Sequence, residues 1–203
     1  MFLGAVMKKI AVLIDGGHVR VLSRRAHKKF DVDFVEKLGL SCAIDGVEDI
    51  QRILYYDAAQ FGGTTSLPIS GNKKVWDNTA SEQWLHDLAH RDLFAVRRGT
   101  LKFRGYTPRK IPIATGHPLT DADFKPDFEQ KGVDMRIGLD MANDAANRAV
   151  DLIALVTNDR DCIPAMKYAR RAGLQVALVC VPLCSPAPEL VSHCDFKRPI
   201  AWP

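Results

Sequence analysis

The chain has 203 residues, of which 47% are hydrophobic and 26% charged, a composition typical of a globular protein with one sizeable core. The net charge of +4 is too small to indicate a nucleic-acid partner by itself. The apolar opening MFLGAV stops at Lys8, which is too short for a signal peptide, and no apolar stretch approaches the roughly 20 residues of a membrane span. We therefore expect a soluble, cytoplasmic protein with no membrane partner, in which residues 1–7 form a disordered extension.

The five cysteines are an odd number without regular spacing, which is typical of reduced thiols in a reducing compartment. Cys180 and Cys184, together with His193 and Cys194, could suggest a zinc site. However, Cys180 lies inside an apolar run and the usual paired CxxC motifs are absent. Small unligated thiols are the favoured interpretation.

Strand and helix patterns alternate along the first half of the chain. The apolar run at 8–15 ends at Asp-Gly-Gly and predicts a buried parallel strand. Residues 19–40 are amphipathic, with Asp31 as the cap of a second helical segment. The pattern then predicts a strand at 49–59, a loop at 62–72, a helix at 79–92 and one or two strands at 93–106.

The second half continues the alternation. Residues 107–130, rich in Pro and Asp, predict a long mobile connection. The next segment, 133–148, predicts a helix with Val133, Ile137 and Met141 on one stripe. Further predictions are a strand at 150–157, a helix at 161–172 that stops at Gly173, a strand at 174–181, and a short helix and tail at 182–203.

Alternating strands and helices predict an α/β fold with three layers, α/β/α, and a mostly parallel central sheet, formed by a domain at 8–181. In such sheets, ligands bind beyond the carboxyl ends of the strands. The acidic residues that follow the strands are therefore the ones to consider.

Asp15 and Asp159 each follow directly on an apolar strand, so we expect both carboxylates at the same edge of the sheet. Asp134 opens the helix that leads into the Asp159 strand, whereas Asp140 lies six positions later on another face. Asp161 starts the following helix and could equally be an N-cap, just as Asp15 and Asp159 could form turns. Clustered carboxylates repel unless a cation neutralises them, and oxygen ligands favour Mg²⁺ or Mn²⁺. The pattern predicts a divalent-metal site.

Three segments carry a family resemblance, in the order VLIDGGHV, KGVDMRIGLD and LVTNDRDCIPAMKYARRAGLQVALV. They resemble the NYN domain, a PIN-like nuclease group that includes bacterial LabA-like proteins, over roughly residues 8–181. The resemblance implies a PIN-like fold and a ribonuclease that uses Mg²⁺ or Mn²⁺ and leaves a 5′-phosphate and a 3′-hydroxyl. It assigns Asp15, Asp134 and Asp159 to the catalytic metal site, with Asp161 and Asp140 nearby.

The sequence departs from the family pattern at three places. His18 replaces the usual Asn, Thr157-Asn158 replaces Ser-Gly, and Cys162 replaces Phe. We assign supporting roles to His18, which could contact phosphate or carry a proton, and to Thr157 and Asn158. The Thr157 hydroxyl could orient an acid or a water molecule.

Basic residues are concentrated in two places. Between positions 91 and 110 there are seven basic residues against one acid, interleaved with Phe94, Phe103 and Tyr106, a pattern typical of single-stranded nucleic-acid binding. A second basic cluster, RRAHKK, occupies 24–29. Both could instead be solvated faces. The predicted RNA-binding residues are Arg97, Arg98, Lys102, Arg104, Arg24 and Arg25.

Other functions fit less well. A haloacid-dehalogenase-type phosphatase needs an Asp where Gly17 stands, and a dinucleotide binder needs G-x-G-x-x-G after the first strand. The remaining alternative to a ribonuclease acting on single-stranded RNA is a catalytically silent RNA-binding or regulatory module. A homodimer is compatible with so small a domain, although no residue demonstrates one.

Overall fold

A computed structural model describes residues 7–113, 116 and 118–203, so the predicted disordered extension lies, apart from Met7, outside the described residues. The strands, in chain order, are β1 (Lys8–Asp15), β2 (Glu48–Asp57), β3 (Gly63–Ser66), β4 (Lys73–Trp76), β5 (Phe94–Arg98), β6 (Thr100–Pro108), β7 (Phe124–Lys131), β8 (Leu152–Val156), β9 (Gln175–Cys180) and β10 (Phe196–Pro199). The α-helices are α1 (Gly16–Arg25), α2 (Val32–Leu40), α3 (Thr79–Ala89), α4 (Val133–Asn147), α5 (Ile163–Arg171) and α6 (Pro188–Val191). Short 3-10 turns occupy Asp121–Asp123 and Arg160–Cys162.

The central sheet contains six strands in the order β10-β9-β8-β1-β2-β5, and every pairing is parallel. Strand β1 therefore lies between β8 and β2, with Asp15 opposite Tyr56. Its five apolar residues, 10–14, are buried because both faces of the sheet are covered. The carboxyl ends of β1, β2 and β8 consequently meet at one edge.

Helices cover both faces of the sheet. Ile10, Val12 and Ile14 belong to a core shared with α1, α2 and α3, whereas Ala11 and Leu13 belong to a core shared with α4, α5 and α6. The predicted stripe on α4 is buried in this second core. Asp31 caps α2 by accepting a hydrogen bond from the Phe34 backbone N–H at 2.9 Å. The predicted three-layer α/β/α fold with a parallel sheet is confirmed.

Two antiparallel hairpins lie outside the central sheet, and the sequence did not predict them. Strand β3 lies entirely within segment 62–72, which was expected to be a loop, and pairs with β4. Strand β7 occupies the end of the expected mobile connection and pairs with β6. The hairpins form because their aromatic rings pack together, with centroid distances of 5.3–6.5 Å among Phe61, Trp76, Phe103 and Phe128.

The expected C-terminal tail contains the edge strand β10. Arg198 anchors it by donating to both carboxylate oxygens of Glu48, at 2.7 and 2.8 Å, and to the Cys42 carbonyl at 2.6 Å. Both charged residues are only 8% exposed. This buried ion pair joins the end of the chain to the start of β2, a contact between residues 150 positions apart.

Candidate metal centre and nucleic-acid interface

Asp15 lies at the junction of β1 and α1, where it caps the helix. One carboxylate oxygen accepts a hydrogen bond from the His18 backbone N–H at 3.1 Å. The other accepts one from the Thr157 hydroxyl at 2.9 Å. The half-buried carboxylate is therefore fixed in place by groups from α1 and from the loop after β8.

Thr157 also fixes the second acidic loop. Its side chain is fully buried, and its oxygen accepts the backbone N–H of Asp159 at 3.1 Å. Asp159 in turn caps the 3-10 turn by accepting the N–H of Asp161 at 2.9 Å. Asp159 is therefore the N-cap of this turn, and Cys162 is the N-cap residue of the following helix α5.

Three acids converge beyond these strand ends. Asp134, in the first turn of α4, contributes a carboxylate oxygen that lies within 4.8 Å of one from Asp159 and one from Asp161. We call these three residues the acidic cluster. Asp134 and Asp161 are exposed residues and Asp159 is half-buried, so the cluster is open to a ligand.

The pKa of Asp134 is raised by burial and by this convergence of acids. Partial burial of its carboxyl group, and then the negative charges of Asp159, Asp15 and Asp161, raise the pKa above its usual range. Cys162, which is 1% exposed, packs in the core that α4 and α5 share, where burial and then the charges of the same acids raise the pKa of its thiol to about 12. The thiol therefore stays neutral and fills the position where the family has Phe. Excess negative charge at this edge favours binding of a cation.

Asp15 and Asp161 are placed differently relative to the acidic cluster. Asp15, predicted as a ligand, adds negative charge beside the acidic cluster but does not belong to the set of oxygens within 4.8 Å, whereas Asp161, predicted as supporting, does. The spacing Asp-x-Asp after a strand is the sequence feature that could have raised the rank of Asp161.

Asp140 lies away from the acidic cluster. It accepts hydrogen bonds from Arg97 Nε and from the Tyr56 hydroxyl, both at 2.9 Å. One helical turn later, burial and then the charge of Asp140 raise the pKa of Asp144 to about 6, although Arg97 opposes the shift. One buried oxygen of Asp144 has no hydrogen-bond donor among the described residues.

His18 and Asn158 belong to the same two acidic segments as Asp15 and Asp159. Burial lowers the pKa of His18 against the opposing charge of Asp15. Its Nε2 atom lies 3.7 Å from the Cys184 sulfur. The side chain of Asn158 accepts the backbone N–H of Ala187 at 2.8 Å and so ties the loop after β9 to the site. All five cysteines are free thiols.

The hairpin of β6 and β7 lies beside the acidic cluster. Strand β7 leads through Gly132 directly into α4, and Gly99, before β6, packs so closely that a Cβ atom there would lie 2.7 Å from Val133. The Gln130 side chain reaches the first turn of α1, since a Cβ atom on Gly17 would lie 3.8 Å from its side-chain oxygen. The sequence did not predict that Gln130 lies near the site, because no motif surrounds this residue.

The predicted RNA-binding residues fall into two groups. Arg97 pairs with Asp140, Arg98 with Glu82, and Arg104 with Glu129 at 3.6 Å. In contrast, Lys102 on the hairpin, and Arg24 and Arg25 in the last turn of α1, form no ion pair within the part of the chain that the structure describes. The unpaired group has the more available charge.

Comparisons with known proteins agree with this architecture. The family model described as the NYN domain matches residues 9–200, which include β10. The fold is similar to the crystal structure of a protein of unknown function from Vibrio parahaemolyticus, with 19% identity and a TM-score of 0.56 over 98% of this chain and 96% of that chain. No curated protein matches the sequence.

No helix among the described residues has the length and apolar character that a membrane crossing requires. The match to the NYN model covers nearly the whole chain, and the parallel sheet with acids at one edge is consistent with a PIN-like fold. The chain therefore belongs to the NYN domain family, whose members are PIN-like nuclease-family domains.

Proposed function

We propose that the protein is a Mg²⁺- or Mn²⁺-dependent ribonuclease that hydrolyses phosphodiester bonds of single-stranded RNA in the cytoplasm. The observation that carries the proposal is the convergence of Asp134, Asp159 and Asp161, each with a ligand oxygen within 4.8 Å of the others. NYN family membership supports the same activity.

The donor set fits a hard divalent cation. Mg²⁺ binds oxygen at about 2.1 Å, so opposite ligands in its octahedron are about 4.2 Å apart. The separations in the acidic cluster reach at most 4.8 Å, and small side-chain rotations would close the difference. Three carboxylates without nitrogen or sulfur ligands favour Mg²⁺ or Mn²⁺ over zinc.

Each residue of the site has a defined role in this proposal. Asp134, Asp159 and Asp161 hold the ion, which when bound supplies an activated water and neutralises charge on the phosphate. Asp15, fixed by Thr157 and by the His18 N–H, orients the attacking water from beside the cluster. Hydrolysis leaves a 5′-phosphate and a 3′-hydroxyl.

The β6–β7 hairpin supplies the RNA contact. Lys102 and Arg104 flank Phe103 on β6, and Lys131 lies on β7, only three positions before Asp134. Arg104 and Lys131 share the single acid Glu129, at 3.6 and 3.2 Å, so one of their two positive charges is left unbalanced. An RNA strand bound along this hairpin would pass the acidic cluster. Binding of its phosphates to the basic side chains releases counterions, so the affinity for RNA depends on salt concentration. Arg97 and Arg98 are already neutralised by acids, so we expect smaller contributions from them.

The proposal is tested by incubating labelled single-stranded RNA with Mn²⁺, Mg²⁺ or EDTA and the wild type, a variant with both Asp134→Asn and Asp159→Asn, or Asp45→Asn. Asp45 is an exposed acid in a turn and serves as the matched control. We expect metal-dependent cleavage by the wild type and the control, and none by the double variant. Equal cleavage by all three proteins would refute the site.

The alternative is a catalytically silent RNA-binding module. Its support is the set of departures at His18, Thr157, Asn158 and Cys162, which alter the surroundings of the acids but leave every acid in place. RNA binding by the wild type without cleavage in either metal would establish this alternative.

A further inference from the structure

A groove of about 390 Å³ opens beside the second half of α1, on the α1–α3 face of the sheet. Its floor is formed by residues 58–60, which follow the carboxyl end of β2, the strand next to β1. It therefore lies at the same edge of the sheet as Asp15. Its lining includes Arg20, Arg24, Phe30, Gln60 and Trp84.

The groove carries net positive charge. Arg20 forms an ion pair with Asp57, whose side chain is only 1% exposed. Arg24 is exposed and has no carboxylate within ion-pair distance among the residues described. One guanidinium is thus held in place by an acid, while the other is available for an anionic ligand.

The groove also contains an aromatic platform. Phe30 and Trp84 are stacked, with ring centroids 5.5 Å apart and planes inclined by 18°. The guanidinium carbon of Arg20 lies 5.5 Å from the Phe30 ring centre. Both rings line the groove and are half-buried against the core, so each keeps part of its surface accessible while its position is fixed, as base stacking requires.

The first turn of α1 couples the groove to the catalytic edge. A Cβ atom on Gly16 would lie 2.3 Å from the Tyr55 hydroxyl and 2.7 Å from an Asp57 oxygen, so only glycine allows this approach. The same turn is capped by Asp15 and carries Arg20 further along. The positions of the groove and of Asp15 are therefore fixed by one helix.

We infer that this groove binds a nucleotide of a single-stranded RNA next to the segment at the acidic cluster. The base stacks on the Phe30–Trp84 pair, the Gln60 amide contacts its polar edge, and Arg24 binds a phosphate. This inference rests on the proposed function for the identity of the ligand. It extends the RNA path from the β6–β7 hairpin, past the acids, to the opposite side of α1.

The test compares Arg24→Ala with Lys37→Ala, which removes an exposed positive charge from the last turn of α2, outside the groove. Binding of a fluorescein-labelled oligouridine is measured by anisotropy in EDTA at several salt concentrations. Arg24→Ala should weaken binding several-fold and make the slope of log K against log salt shallower by about 0.7. Lys37→Ala should leave both unchanged.

Photocrosslinking gives an independent readout in the unaltered protein. An oligonucleotide with 5-iodouridine at each position in turn should crosslink to Phe30 or Trp84 at one or two neighbouring positions. Crosslinks confined to other residues, or equal effects of Arg24→Ala and Lys37→Ala on binding, would refute the assignment of the groove as an RNA site.

Cleavage by the wild type, assayed separately with Mn²⁺, distinguishes this inference from the proposed function. If the wild type cleaves RNA but Arg24→Ala binds it normally, the groove is not an RNA site and the proposed ribonuclease activity stands. If Arg24→Ala weakens binding but the wild type does not cleave, the groove is an RNA site in a catalytically silent binding module. Absence of RNA binding by the wild type overturns the groove, and absence of both binding and cleavage overturns the proposed function as well.

Discussion

Replacing Thr157 by Val tests how the acidic edge is held together. The Thr157 hydroxyl donates to Asp15 at 2.9 Å and accepts the Asp159 N–H at 3.1 Å, so a single oxygen links the loops after β1 and β8. Valine keeps the shape of the side chain but removes both hydrogen bonds.

The expected magnitude follows from these two contacts. A hydrogen bond to a charged group contributes about 1.5–3 kcal/mol, and we take the lower part of this range because solvent can partly replace the donor at half-buried Asp15. The Asp159 N–H loses its acceptor at a further cost of about 1 kcal/mol. We therefore expect Thr157→Val to lower the free energy of unfolding by about 2–3 kcal/mol, which corresponds to about 5–10 °C in Tm for a domain of this size.

The assay is thermal and urea unfolding at pH 7 in EDTA, followed by circular dichroism, with Thr157→Ser as the matched control. Serine retains the hydroxyl and should remain more stable than the valine variant. If both variants unfold at the same temperature, the loss comes from packing, and Thr157 does not fix the acids in the way described.

Three further predictions concern the rest of the fold. Arg198→Met leaves Glu48 buried without its partner and should lower the free energy of unfolding by about 3–5 kcal/mol, whereas Lys197→Met on the exposed side of β10 should change it by less than about 0.5 kcal/mol in urea titrations. The pKa of Asp144 is raised to about 6 in the folded protein, so folding favours the protonated carboxyl group. The stability that this protonation contributes is fully present below about pH 4 and is lost as pH rises to about 6. Asp144→Asn should therefore stabilise the protein by about 1–2 kcal/mol at pH 8, after a reduction for solvent screening, and have little effect at pH 4; equal effects at both values would contradict this. Gly99→Ala should destabilise the protein by about 1–3 kcal/mol, because the new Cβ would clash at 2.7 Å with Val133. Gly138→Ala lies inside α4 with its nearest contact at 3.7 Å, and it should stabilise the protein by up to about 1 kcal/mol. A higher Tm for Gly99→Ala than for Gly138→Ala would refute the packing described.

The sequence predicted the parallel sheet and its helical layers because buried strands have continuous apolar sequences, such as that of β1. The stripe of Val133, Ile137 and Met141 likewise records one face of α4. The hairpins were missed because their strands are partly exposed, because β3 and β4 have only four residues each, and because their aromatic partners lie far apart in the chain. Packing between Phe61 and Phe128 cannot be deduced from either segment alone.

The site was predicted at the level of the sheet edge but not of individual contacts. Parallel strands bring their carboxyl ends together, which located Asp15 and Asp159. The pairing of Asp140 with Arg97, 43 positions away, depends on how α4 packs against β5. Whether Asp15 or Asp161 completes the set with Asp134 depends on ångström-scale positions of the strand ends, which sequence spacing does not specify.

The central claim is that the acidic cluster binds a divalent metal, and Mn²⁺ binding measured by electron paramagnetic resonance tests it most directly. The wild type and Asp45→Asn should bind Mn²⁺ with equal affinity, while Asp159→Asn should bind it at least about tenfold more weakly and keep the circular dichroism spectrum of the wild type. Equal Mn²⁺ affinity in all three proteins would contradict the assignment of the metal to Asp134, Asp159 and Asp161.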